Sequence, residues 1–380
     1  MRPAERRPSR PLRCLHVFAT FVAAGPQVRS VALWNALGTR FDHAVVALDH
    51  RLDALALAGT TPIAVVAAPP RGGSLRTAWR MRRVLACQRP DALFTYGFAA
   101  LDAIVAARSL GLRAIVHHED GFAADEAFAL LRRRVAYRRL ALPLCHRVVV
   151  VSAGLEELAT TRFGVRRNRL RRIDNGVDGA AHRAPRDPRT RASVDLSADD
   201  LVVGTVSHLR AVKRLDRLLS AVARARAPWR VLIVGAGAEE AALRAQSERP
   251  ELRGRVRFAG DQRRPHPWLA ALDVFALTSD SEQMPLSVLE AMASGLPLVA
   301  TAVGEVPRML PREQAARLVD PLAPDVETQL AQRLDQLADD VVLRAALGAS
   351  NRRHVEERYS LATMVEHYRA LYDELSTMAP

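Results

Sequence analysis

Two glutamates with seven residues between them, Glu282 and Glu290, stand in the stretch SDSEQMPLSVLEAMASGLPLVAT, 279–301. Pro285 falls between them, and a proline suits the first turn of a helix, where its missing N–H leaves no bond unmade. A helix beginning there leaves the amides of Leu286 and Ser287 without intrahelical acceptors, and with the helix dipole they form an anion site. Glu282 sits in the loop before that turn and Glu290 one to two turns inside the helix. A carboxylate beside such a site repels phosphate, but it accepts hydrogen bonds from hydroxyls just beyond it. Phosphate on amides and sugar hydroxyls on carboxylates together describe a nucleotide-sugar pocket. The spacing alone favours an amphipathic helix with two solvated glutamates.

A second candidate is Lys213 in HLRAVKRL, 208–215. It is the only lysine of a chain whose Lys and Arg together number 55. GC-rich coding explains the arginine bias, and a chance survivor is the bland reading of the lysine. The chemical reading is that a thin, flexible ammonium serves a phosphate where a planar guanidinium does not. Other candidates end strands. VHHEDG, 116–121, offers His117 and His118, of which alternation along a strand turns only one toward a ligand, and the acids Glu119 and Asp120. Either acid can orient the histidine, contact an acceptor or simply cap the strand. Gly25 in AAGP permits close backbone approach, or makes an ordinary turn. Gly235 and Gly237 in VGAGAEEA give G-x-G, but Glu240 occupies the third glycine's place, so a dinucleotide site is rejected in favour of a tight strand–helix turn. Gly304 opens another helix in TAVGEVPRML, placed to approach phosphates.

Alternating strands and helices must position these residues. Strands are predicted over 12–18, 43–48, 63–67, 91–95, 113–117 and 146–151, with helices over 74–88, 98–109, 125–142 and 152–161. A polar, proline-bearing stretch follows. The alternation then resumes with LVVGTVS, WRVLIVG, RVRFAG, LDVFALTS and LPLVAT. Such alternation predicts parallel sheets. The fold class is α/β: two tandem Rossmann-like, doubly wound domains with an interdomain cleft as the default site. The expected boundaries are a disordered basic tail over 1–10, an N-terminal domain over 11–180, a linker over 181–198, a C-terminal domain over 199–358 and a final helix over 359–380.

Composition narrows the classes. With 49% hydrophobic and 25% charged residues the chain is globular. The formal charge of +14 attracts phosphates. Aromatic residues are only 5%, none interleaved with the basic ones, so a nucleic-acid partner is not expected. Cys14, Cys87 and Cys145 are scattered and odd in number, which fits a reducing, cytoplasmic setting rather than a disulfide framework. The basic start followed by LRCLHVF is read as a tail and a buried strand rather than a signal peptide. No cluster of acids or His/Cys pair suggests a metal, and no cofactor is expected. The segment 124–142, with Phe128, Leu131, Val135 and Leu142 among Arg132, Arg134, Arg138 and Arg139, is basic and amphipathic. It packs on its sheet with a solvated basic face, or makes peripheral contact with anionic membrane.

Segment 279–301 resembles the E-x7-E motif of glycosyltransferase family 4, retaining enzymes of GT-B fold. The resemblance extends to VGTVSHLRAVKRLDRLLSAV, VLIVGAGAEEAAL, RVRFAG, ALDVFALTSDSE and YSLATMVEHYRALYDEL. More loosely it touches AAGPQVRSVALWNAL, VHHEDG, VVVVSAGLEEL and IDNGVD. It implies transfer of a sugar from a nucleotide-diphosphate sugar to a glycan or lipid-linked acceptor, without a metal. It implies catalytic roles for His118, Glu282 and Lys213, with Glu282 on the sugar ring and Glu290 on the ribose. Gly25, His208, Arg210, Gly235, Met284, Leu286 and Ser287 complete the donor-binding set, and Glu119 and Asp120 lie on the acceptor side. His208 stands where the family has an arginine, a role Arg210 can also fill. Ala24 replaces a glycine. A GT-B epimerase or phosphorylase would share these motifs, and product analysis separates them.

Overall fold

The computed structural model describes residues 10–378 except 71, 123–125, 127, 128 and 184. All but the last residue of the expected tail lies outside them, as do Phe128 and the start of the 124–142 segment. The chain divides into two compact units, one of residues 1–174 with 363–380 and one of 175–362.

Unit 1 carries β1 Leu12–Phe18, α1 Gly25–Leu37, β2 Phe41–Ala47, β3 Ile63–Val65, α2 Ser74–Gln88, β4 Ala92–Tyr96, α3 Leu101–Ser109, β5 Ile115–Glu119, α4 Arg132–Ala141, β6 Arg147–Val150, α5 Ala153–Thr161 and β7 Leu170–Arg172. Its sheet runs β3-β2-β1-β4-β5-β6-β7, with every pair parallel. Strands such as β6 are buried through Val148, Val149 and Val150, as a sheet covered on both faces requires.

Unit 2 carries α6 Pro188–Ala192, β8 Val202–Val206, α7 Leu215–Arg224, β9 Arg230–Val234, α8 Glu240–Ser247, β10 Val256–Gly260, α9 His266–Ala270, β11 Val274–Leu277, α10 Leu286–Ala293, β12 Leu298–Ala300, α11 Val306–Met309, α12 Arg312–Ala315, α13 Val326–Asp339 and α14 Val341–Arg358. Its sheet, also parallel, runs β10-β9-β8-β11-β12. Chain order therefore reverses between β8 and β11, the point where open α/β sheets leave a crevice. Helix α7 shows why it docks there: Leu215, Leu218, Leu219 and Val222 recur at helical spacing and are buried with Trp229 and Ile233. The last helix, α15, spans Leu361–Ser376, and from Thr363 on it belongs to unit 1.

Four expectations need correction. The stretch 181–198 is no free linker but part of unit 2. Arg191, 1% exposed, donates to the carbonyls of Ala271, Ser197, Ala198 and Asp200 and pairs with Asp273 at 2.9 Å. One arginine organises the segment through backbone carbonyls, which leaves no hydrophobic period to read. Helix α4 begins at Arg132, and residues 98–100 before α3 form a short 3-10 turn. The strand expected over 113–117 runs over Ile115–Glu119, so His117, His118 and Glu119 are inside the sheet rather than at its mouth. Among the described residues, no helix is long and apolar enough to cross a membrane.

Candidate active site

The loops after β8 and β11 lie side by side in unit 2 because their strands are neighbours. They bring Lys213 and Glu282 together: the ammonium lies 2.5 Å from the carboxylate, with only 13% and 10% of the two side chains exposed. Ser279 Oγ donates to the same carboxylate oxygen at 2.7 Å. The loops are stitched by backbone as well. The Asp280 N–H bonds the Val212 carbonyl at 2.9 Å, and Thr278 Oγ1 donates to the carbonyls of Lys213 and Arg214 at 3.2 and 2.9 Å.

Helix α10 starts at Leu286, with Pro285 one residue earlier than expected, as the N-cap. Pro285 gives that helix no side-chain cap, and Leu286 and Ser287 carry first-turn amides that have no intrahelical acceptor. Glu290 lies inside the helix, half-buried, and burial pushes its carboxyl up to about 7. Met284 is buried. Its carbonyl accepts from Asn175 Nδ2 at 2.7 Å, so it anchors the loop from within the unit.

Two glycines hold this floor. Gly235 has φ +134°, and a Cβ there would sit 1.9 Å from the Ser207 carbonyl oxygen. Gly304, at φ +53°, would put a Cβ 1.9 Å from the Glu282 carbonyl oxygen. The expected approach of Gly304 to phosphate is thus, in this structure, an approach to the Glu282 loop, which Glu305 N–H also binds through Gln283 O at 2.9 Å.

His208 and Arg210 differ in setting. Burial, then the charges of Arg210 and Lys213, lower the His208 pKa, so His208 is neutral at the edge of a cationic cluster. Arg210 is exposed and lines a hollow of about 50 Å³ with Asp216, Glu239 and Gln246.

In unit 1 both histidines of β5 are buried. His117 Nδ1 pairs with Thr95 Oγ1 at 2.9 Å, and its other nitrogen lies 3.7 Å from Glu119. His118 is stacked between rings, 4.5 Å from Tyr96 and 5.8 Å from Tyr368 of α15. It is 2% exposed, and burial drives its pKa well below the usual value. It is a buried, neutral ring of unit 1. Glu119 and Asp120 are likewise committed. Arg138 Nε bonds Glu119 at 3.0 Å while its other nitrogens bond Glu126 at 3.1–3.2 Å. Arg29 grips Asp120 with two hydrogen bonds, 2.5 and 3.0 Å. Both acids are held by arginines of the same unit. Gly25 is the first residue of α1.

The model of glycosyl transferases group 1 matches residues 200–340, and that of glycosyltransferase family 4 matches residues 24–180. The chain belongs to these glycosyltransferases. The lipopolysaccharide core biosynthesis glycosyltransferase LpsE of Rhizobium meliloti is 31% identical over 181 residues, 48% of this chain and 52% of that one. N-acetyl-alpha-D-glucosaminyl L-malate synthase of Bacillus anthracis is 28% identical over 179 residues, 47% and 46% of the two chains. The chain thus spans about half the length of the curated relatives it matches. Anabaena Alr3699/HepE, solved in complex with UDP and glucose, superposes with a TM-score of 0.81 at 20% identity, over 96% of this chain and all of that one. What is shared at that identity is the fold, GT-B. The group 1 match carries His208, Arg210, Lys213, Gly235, Glu282 and Glu290, and the family 4 match carries Gly25, His118, Glu119 and Asp120. Thr278, Ser279 and Asp280 were not among the expected site residues, although they stand within four residues of Glu282. Polar residues in a loop carry no period, and only the neighbouring strand reveals what they bind.

Proposed function

We propose that this glycosyltransferase moves a sugar, with retention, from a nucleotide-diphosphate sugar to a glycan or lipid-linked acceptor in cell-surface glycan synthesis. The observation that carries the reading is the convergence of Lys213, Glu282 and the uncapped start of α10 at the ends of β8 and β11. Lys213 and the amides at Leu286 and Ser287 stabilise the leaving diphosphate, where fixed dipoles cost no reorganisation as charge develops. Glu282 accepts from the sugar ring and Glu290 from the ribose. His208, neutral beside Lys213, donates a hydrogen bond to phosphate, and Arg210 supplies long-range attraction. Relatives in lipopolysaccharide synthesis and a neighbour solved with UDP and glucose support the substrate class.

The test is a thermal-shift panel with UDP, GDP, ADP and their sugars, followed by product analysis with candidate acceptors. Stabilisation by one nucleotide family and acceptor-dependent release of the diphosphate are expected. Indifference to every sugar nucleotide, or conversion of the donor without an acceptor, would overturn it. We also assign to α4, whose exposed side includes Arg132, Arg133, Arg139 and Leu140, a peripheral contact with the inner face of an anionic membrane. Arg134 and Arg138 are tied to Glu126, so three arginines carry the attraction. Failure to float with anionic vesicles at low salt would remove that assignment.

A further inference from the structure

The turn that carries Lys213 is bent into a conformation its sequence does not favour. Arg214, the next residue, has φ +48° and ψ +46°, the left-handed region that costs a residue with a Cβ. Something must hold it. Asp280, on the loop after β11, accepts from Arg214 Nη1 at 3.2 Å and from Arg217 Nη2 at 2.9 Å. Arg217 is buried, 4% exposed, and its Nη1 donates to the Thr278 carbonyl at 2.9 Å. The Asp280 N–H meanwhile bonds the Val212 carbonyl. Asp216 also pairs with Arg214, at 3.1 Å, but it is 53% exposed and on the same turn. Thr278 Oγ1 also holds the turn, through the Lys213 and Arg214 carbonyls, but Asp280 is the charged group of the Glu282 loop that pairs with the Arg214 guanidinium.

We propose that Asp280 is a positioning residue for the donor diphosphate: it locks Arg214 in the left-handed turn and so aims the Lys213 ammonium at the place where Glu282 and the start of α10 meet. It touches no ligand and acts through the backbone between Val212 and Arg214. The inference rests on the reading of this site as a nucleoside-diphosphate site.

The test exploits glycine, which adopts a left-handed turn without restraint. Parent, D280N, R214G and R214G/D280N are titrated calorimetrically with UDP, GDP and ADP, and compared on whichever the parent binds. Asparagine keeps an acceptor oxygen for Arg217, so D280N retains the fold, checked by circular dichroism. Affinity should fall about tenfold in D280N, stay within about twofold of the parent in R214G, and return to within about threefold in the double variant. A structural role alone would lower the melting temperature without rescue by glycine. R214A against R214G is the second handle: both lose the guanidinium, but only alanine keeps the strain, so only R214A should bind weakly. An unchanged D280N, an unrescued double variant, or R214A equal to R214G overturns the proposal and leaves the functional reading standing. A parent that binds none of the three nucleotides removes both.

Discussion

Lys213 and Glu282, 69 residues apart, form a 2.5 Å ion pair in which each side chain is largely withdrawn from water. The same ammonium is the group assigned to the donor's diphosphate, so carboxylate and phosphate compete for it. E282Q should therefore bind bare nucleoside diphosphate about threefold to tenfold more tightly, near 0.6–1.4 kcal/mol, while losing sugar transfer. Equal or weaker binding in a calorimetric titration of E282Q would refute the competition.

K213A tests the other partner. A charge-assisted contact to phosphate contributes roughly 1.5–3 kcal/mol, so donor affinity should drop about tenfold to a hundredfold. Unchanged affinity in that titration returns Lys213 to a lysine of no special role.

Glu290 makes the protein sensitive to pH near neutrality. Its carboxyl is raised to about 7 by burial, so the folded state holds a proton that the unfolded chain, with an ordinary glutamate, releases. The stabilisation this confers is full below the ordinary glutamate pKa and is lost as pH rises through about 7. E290Q should melt above the parent at pH 8 by more than it does at pH 5. If the carboxylate accepts from ribose hydroxyls, donor affinity should rise with pH across the same window in the parent and stay flat in E290Q. Parallel pH profiles for the two proteins, in melting and in titration, would count against both statements.

Gly235→Ala should be among the most damaging single changes in unit 2. Its new Cβ meets the Ser207 carbonyl oxygen at 1.9 Å, at φ +134°, and strain of this kind costs on the order of 1–3 kcal/mol before any backbone shift. Urea unfolding measures it. The shift should also move the loop that starts at Ser207, so donor affinity should fall together with stability.

In unit 1 the prediction is structural. Removing Arg138 takes the guanidinium from Glu119 and leaves Glu126 with Arg134 alone, both carboxylates being buried. R138M should cost about 3–5 kcal/mol of stability in urea unfolding. E119Q, which keeps the shape and one acceptor for Arg138, should cost less than R138M. The reverse order would mean that Glu119 is not held for packing.

The alternation of apolar runs and helical periods was legible at once, because a parallel strand buried on both faces leaves a nearly unbroken run of Val, Leu and Ile. β1 matches its expected range to the residue, and α2 does too. β7 was not foreseen, since LRR exposes two of its three side chains and has no apolar run to betray it. VHHEDG reads as a strand end because histidines and acids favour water. The fold instead gives His118 rings to stack on, Glu119 the Arg138 guanidinium and Asp120 that of Arg29. Those partners lie 19 to 250 residues away, beyond the reach of any local pattern.

The amino-acid sequence by itself determined the two parallel sheets, the helix that opens after Pro285 and the identities of the lysine and the two glutamates. All of these follow from local period, proline placement and residue type. Tertiary structure alone decided that β8 and β11 are neighbours, and hence that Lys213 reaches Glu282. It also decided that Asp280 closes on Arg214 and Arg217, and that His118 is a core ring. The reason is physical: strand order sets which loops share an edge of the sheet. The free energy that selects it is summed over long-range burial, which no short stretch of chain contains.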